Sequence, residues 1–186
     1  HKELLAQLAI CVHRLQEEIN SQQGLISAEN GDLSVHPGSI RSLEFLREMI
    51  NFYKKGNFSL SSVKICLDES SIDIMLVSDK TLLFRVFGNM MKNAIEASQP
   101  DNKVIVGCTL DVNKHICFWV HNSQFIPVDI QLQIFNRSFS TKGQGRGIGT
   151  YSMKLLTEKY LKGSVVFSSI KEQGTTFSVT LPLILE

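Results

Sequence analysis

Polar and apolar positions along this chain follow two periods, one helical and one alternating. From Glu3 to Gln23, Leu4, Leu5, Leu8, Ile10, Cys11, Leu15 and Ile19 recur at helical spacing and predict one long helix. So broad a stripe needs a cover, and a second copy of the chain would supply one. Residues 21–37 are polar, contain Gly24, Gly31 and Pro37, and read as a linker with a short strand at Leu33 to Val35. Ser39 to Tyr53 carries Leu43, Phe45, Leu46, Met49 and Ile50 and predicts a second helix. Val63 to Leu67 alternates as a strand, with Ile72 to Val77 as its expected partner.

The remainder is more regular. Ser78 and Asp79 predict the cap of a helix running from Lys80 to Ala97. Lys103 to Leu110 and His115 to His121 predict a hairpin. A loop-rich stretch follows, with a short helix from Val128 to Phe135. Thr150 to Leu161 predicts another helix, closed by Gly163. Ser164 to Ser169 and Thr175 to Leu181 predict a last hairpin. Hairpins interleaved with helices imply a two-layer α/β sandwich preceded by a long N-terminal helix.

Candidate chemistry sits at two places. On the Lys80 helix, Arg85, Asn89, Lys92, Asn93 and Glu96 share one stripe, while Leu83, Phe87, Met90, Met91 and Ala94 face the other way. The polar stripe reads either as a solvated face or as a ledge for metal-bound phosphates, in which Asn93 offers an amide oxygen to magnesium. The second place is Lys142 to Thr150, where Gly145, Gly147 and Gly149 alternate just before a helix, flanked by Lys142 and Arg146. Glycines allow close backbone approach, and a helix start presents unpaired N–H groups to an anion.

Composition removes other classes. The net charge of +1 gives no footing for nucleic acid, and no apolar run is long enough to span a bilayer. Cys11, Cys66, Cys108 and Cys117 lack metal spacing and point to free thiols in a reducing, cytoplasmic compartment. The five histidines are scattered, without the spacing of a zinc site.

Taken together, four segments resemble the ATP-binding catalytic domain of sensor histidine kinases, in the superfamily that includes gyrase and the Hsp90 chaperones. Asn89 to Ala94 resembles the family's N box, Phe135 to Lys142 its F box and lid, Gly145 to Gly149 its G2 box, and Gly174 to Phe177 with Leu181-Pro182 its last glycine motif. The resemblance implies a Bergerat-type ATP-binding fold over 33–186, with a partial dimerisation helix and linker over 1–32. It implies ATP and Mg2+ as ligands, a response regulator and a second copy as partners, and no direct membrane contact by this stretch. It implies nucleotide contacts from Asn89, Lys92, Asn93, Asn122, Lys142, Gly145, Arg146, Gly147, Gly149 and Thr175, with Asn93 on the metal.

One motif departs from the family. Where an Asp-x-Gly-x-Gly pattern is usual, the chain reads Val120-His121-Asn122-Ser123-Gln124-Phe125-Ile126-Pro127. Asn122 stands for the aspartate that accepts from the adenine amino group, and both glycines are missing. A carboxamide oxygen still accepts that bond, without charge. The family's phosphoacceptor histidine is followed by an acidic residue, whereas His1 precedes Lys2 and His13 precedes Arg14. Neither matches, so the acceptor is expected upstream. Two rival functions are a hydrolytic ATPase, whose glutamate base is replaced here by Asn89, and a non-catalytic nucleotide-binding or scaffold module.

Overall fold

The computed structural model describes residues 12, 19, 22–55, 63–137 and 148–185. The chain divides into two compact units, His1–Ser34 and Val35–Glu186. The predicted helix from Glu3 to Gln23 lies almost wholly outside the described residues. Within the first unit, residues 22–30 are helical, where a linker was expected. Gly31 ends this helix at φ 85°, and Asp32 N donates to Ser27 O at 3.0 Å, so the glycine is a C-terminal cap. The expected strand at Leu33 to Val35 is absent.

The second unit has its helices on one face of a sheet. Strand β1 (Gly38–Arg41) leads into helix α1 (Ser42–Lys55), followed by β2 (Lys64–Leu67), β3 (Met75–Ser78) and helix α2 (Lys80–Ala97). Then come β4 (Lys103–Leu110), β5 (Ile116–Asn122), α3 (Val128–Gln131) and α4 (Gly149–Leu155). A π-helical turn (Leu156–Tyr160) extends α4, and β6 (Ser164–Ile170) and β7 (Gly174–Leu181) close the fold. The main sheet runs β2-β4-β5-β7-β6, antiparallel except that β2 lies parallel to β4. The predicted two-layer α/β sandwich is the one observed.

Two sequence expectations need correction. The Ser39 helix begins only at Ser42, because Gly38–Arg41 pairs antiparallel with β3 in a separate two-stranded sheet. Ser42 makes the switch: its buried hydroxyl donates to Ile72 O at 2.7 Å and accepts from Ile74 N at 2.9 Å. For the same reason β3 is not the partner of β2, which takes the sheet edge beside β4. On its other side β3 holds residues 183–185. Val77 N donates to Leu183 O at 2.8 Å, and Leu185 N donates to Val77 O at 2.9 Å.

The alternation along β5 decides the layers. Ile116, Phe118, Val120 and Asn122 are buried, with Val104, Val106, Phe177 and Val179 beside them on neighbouring strands. Phe118 meets Phe45 of α1 and Phe87 of α2 edge-on, at ring separations of 5.5 and 6.2 Å. Edge-to-face rings of this kind add to the burial of the core. Burying each such ring is worth about 1.5–3 kcal/mol, so this triad fixes both helices on the sheet.

Candidate active site

Helix α2 is held at its start by one carboxylate. Asp79 accepts from Leu82 N at 2.9 Å, capping the helix, and from His36 N at 2.7 Å. The sequence division of α2 is reproduced: Leu83, Phe87, Met90, Met91 and Ala94 are buried, Lys92 is exposed, and Asn89 and Asn93 are half-buried. Burial lowers the Arg85 pKa from its usual value, and the guanidinium on this stripe remains cationic at neutral pH. The carboxamides of Asn89 and Asn93 lie one turn apart along this face.

Gly149 opens α4 against that face. A Cβ placed on Gly149 would lie 3.5 Å from Asn89 Oδ1, an ordinary contact distance, so this helix start lies directly beside the carboxamide. No side chain caps this helix start. Its N-cap residue, Ile148, has no side-chain acceptor for the first N–H groups, the kind of group that suits an anion. The segment after α3 is tied to the same helix. Thr150 Oγ1 donates to Ile134 O, and Lys154 Nζ sits 5.7 Å from the centre of the Phe135 ring. Phe135 in turn meets Phe167 and Phe177 edge-on. Lys142, Gly145, Arg146 and Gly147 lie outside the described residues.

The end of β5 forms the third side. Asn122 pairs across the strands with Val104 on β4 and Thr175 on β7, on the helix-covered face of the sheet. It is 4% exposed, and its Nδ2 has no hydrogen-bond partner among the described residues. Thr175 does not satisfy that amide. Its hydroxyl donates to Gln124 O at 2.7 Å and accepts from Ser169 Oγ at 2.7 Å, and Ser169 Oγ accepts from Ile126 N at 2.8 Å. The directions follow from the fixed ends: an N–H can only donate and a carbonyl can only accept, so each hydroxyl proton has one place to go. Gln131 Nε2 adds a bond to Ile126 O at 2.7 Å.

This relay is the part that sequence reasoning missed. It latches the glycine-free segment 123–127 to β6 and β7. Gly174 tightens the same corner: it takes φ 87°, and a Cβ there would lie 2.2 Å from Asn122 O. Ser169, Gln124 and Gln131 carry no motif, and only the β6–β7 register brings them together.

Residues 78–185 match the family of histidine kinase-, DNA gyrase B- and HSP90-like ATPases, and the chain belongs to that family. This region is an ATP-binding domain. A relative is a probable C4-dicarboxylate sensor kinase from Halalkalibacterium halodurans, 31% identical over 52% of this chain and 19% of its own length. The chain thus spans about a fifth of that protein. Among solved structures, the nucleotide-free catalytic domain of the histidine kinase ThkA is 24% identical and superposes with a TM-score of 0.70 over 80% of this chain and 97% of that one. ThkA in complex with the response regulator protein TrrA is 20% identical, with a TM-score of 0.73 over 94% of this chain and 49% of that one. Both likenesses speak to the fold.

Proposed function

We propose that this chain is the catalytic portion of a two-component sensor histidine kinase. It binds ATP with magnesium between α2 and the start of α4 and passes the γ-phosphoryl group to a histidine outside this stretch. The observation that carries the reading is the Asn89–Asn93 face set against the close approach of Gly149.

The residues present fit the nucleotide. The buried amide of Asn122 lacks a partner, and Thr175 holds the adjoining segment beside it. Asn93 would supply one oxygen to magnesium, which usually keeps few protein ligands and takes the rest from phosphates and water. Among the described residues no three His, Cys, Asp or Glu side chains gather, in keeping with a metal held largely by its nucleotide. Lys92, Lys142, Arg146 and the N–H groups near Gly145, Gly147 and Gly149 would neutralise the phosphates. Magnesium supplies charge neutralisation of the transferring group; the chain's own part is positioning.

Asn89 cannot serve as a base for water, which favours transfer over hydrolysis. A response regulator would receive the phosphoryl group, and the N-terminal stripe would join two copies. Among the described residues no helix is long and apolar enough to cross a membrane.

Calorimetry with an imidodiphosphate analogue of ATP tests the reading. The parent should bind it in a magnesium-dependent way, and Asn93→Ala should remove that dependence while the far-ultraviolet spectrum stays unchanged. Equal affinity of parent and variant in magnesium would reject the metal assignment, and a parent without affinity would reject the kinase reading.

A further inference from the structure

The geometry points to a base site that accepts a purine carrying a 6-keto oxygen as well as adenine, with Asn122 as the residue that sets this choice. The inference rests on the nucleotide reading above and goes beyond it to the base.

Asn122 is almost fully buried, and one polar atom of its carboxamide has no partner. Buried polar groups are ordinarily paired, so an orphan at a ligand site marks where a ligand's hydrogen-bonding edge belongs. The neighbours cannot supply the missing bond. Val104, across β4, has no polar side chain, and no hydrogen bond joins the Thr175 hydroxyl to this amide.

A carboxylate at this place would only accept hydrogen bonds. A carboxamide both donates and accepts, and a half-turn about χ2 exchanges the two. It can accept from the exocyclic amino group of adenine. Turned over, it can donate to the keto oxygen of a 6-oxopurine, which a carboxylate would repel. The site therefore lacks the feature that would enforce adenine. Selectivity between two such edges is large only where one of them leaves a buried group unpaired, and in either orientation the carboxamide offers the base one matching polar atom.

The test is calorimetric titration of the chain, with magnesium, by adenosine and inosine 5′-triphosphates as imidodiphosphate analogues. The two bases differ at the 6-position and the adjoining ring nitrogen. The parent is expected to bind both within about tenfold of each other, and Asn122→Asp to lose at least about tenfold in inosine-nucleotide affinity relative to adenosine. Adenosine binding by the variant reports that it has folded. Should the variant not fold, the parent's own ratio decides. A parent that binds the adenosine analogue but discriminates against inosine by a hundredfold or more overturns this inference and leaves the kinase reading standing. A parent that binds neither overturns the kinase reading itself, and this inference with it.

Discussion

Gly174→Ala should damage both the fold and the proposed base site, and its size can be worked from the structure. The residue has φ 87°, a region in which an L side chain costs about 1–2 kcal/mol. The new Cβ would also lie 2.2 Å from Asn122 O and 2.8 Å from Ser123 Cα, both backbone atoms that cannot rotate aside. Overpacking of that kind costs about 1–3 kcal/mol. The sum is about 2–5 kcal/mol, a large share of the roughly 5–15 kcal/mol of a typical domain. For a chain of this size it corresponds to a Tm lower by roughly 4–20 °C. The strain falls on Thr175 and Asn122, so nucleotide affinity should fall together with stability. Urea denaturation followed by Trp119 fluorescence and by circular dichroism gives the stability, and calorimetry gives the affinity. Gly38→Ala is the control, because no atom lies within 4 Å of its Cβ position and its φ is ordinary. Equal stability of the two variants within about 0.5 kcal/mol would refute the reasoning.

Asp79→Ala removes the cap of α2 and the bond to His36 together, and should cost about 2–4 kcal/mol in urea denaturation, with Asp79→Asn milder because it keeps an acceptor; a loss below about 0.5 kcal/mol would contradict the double role. Burial pushes the Cys108 thiol pKa above its ordinary value, while the neutral thiol donates to Ile72 O at 3.2 Å. The unfolded chain therefore releases this proton first, and the contribution present at neutral pH is lost as pH rises from the unfolded thiol's value through the folded one. Cys108→Ala should accordingly show a shallower alkaline decline in stability than the parent, and an identical slope would refute the assignment. At the N-terminus, a Leu8→Asp and Leu15→Asp double change should turn a dimer into a monomer by light scattering. A parent already monomeric at high micromolar concentration would reject pairing through that stripe.

What the sequence made legible was whatever its own period could reveal. Helix α2 has a cap at Asp79 and a clean polar face, so its ends and its orientation were readable. The two late hairpins alternate strictly around polar turns. Period says which face a strand buries, but not which strand lies beside it. Ile72 to Val77 was thus readable as extended, whereas its pairing with Gly38–Arg41 was not. Four residues of β1 carry too little pattern to interrupt an adjoining helix. Residues 22–30 were passed over because their few apolar positions lie among glutamine, serine and asparagine, although Gly31 was a stop signal in plain view. At the site, Asn89, Asn93 and Gly149 announced themselves by spacing and by resemblance. The relay from Ile126 through Ser169 and Thr175 to Gln124 did not, because its members are adjacent only after β6 and β7 pair.

The clasp between Val77 and residues 183–185 has a consequence for how the protein is made. Synthesis runs from the N-terminus, so β1, β3 and the capped start of α2 are available long before the segment that completes their small sheet. Until Leu183 and Leu185 arrive, Val77 presents an unpaired edge just before the helix that carries Asn89 and Asn93. Contacts between distant parts of a chain close late, because their loop entropy must first be overcome. Residues 183–185, more than a hundred positions after Val77, thus finish the foundation of the helix that carries Asn89 and Asn93. A nascent chain stalled shortly before them would hold most of the sheet and still leave that foundation open.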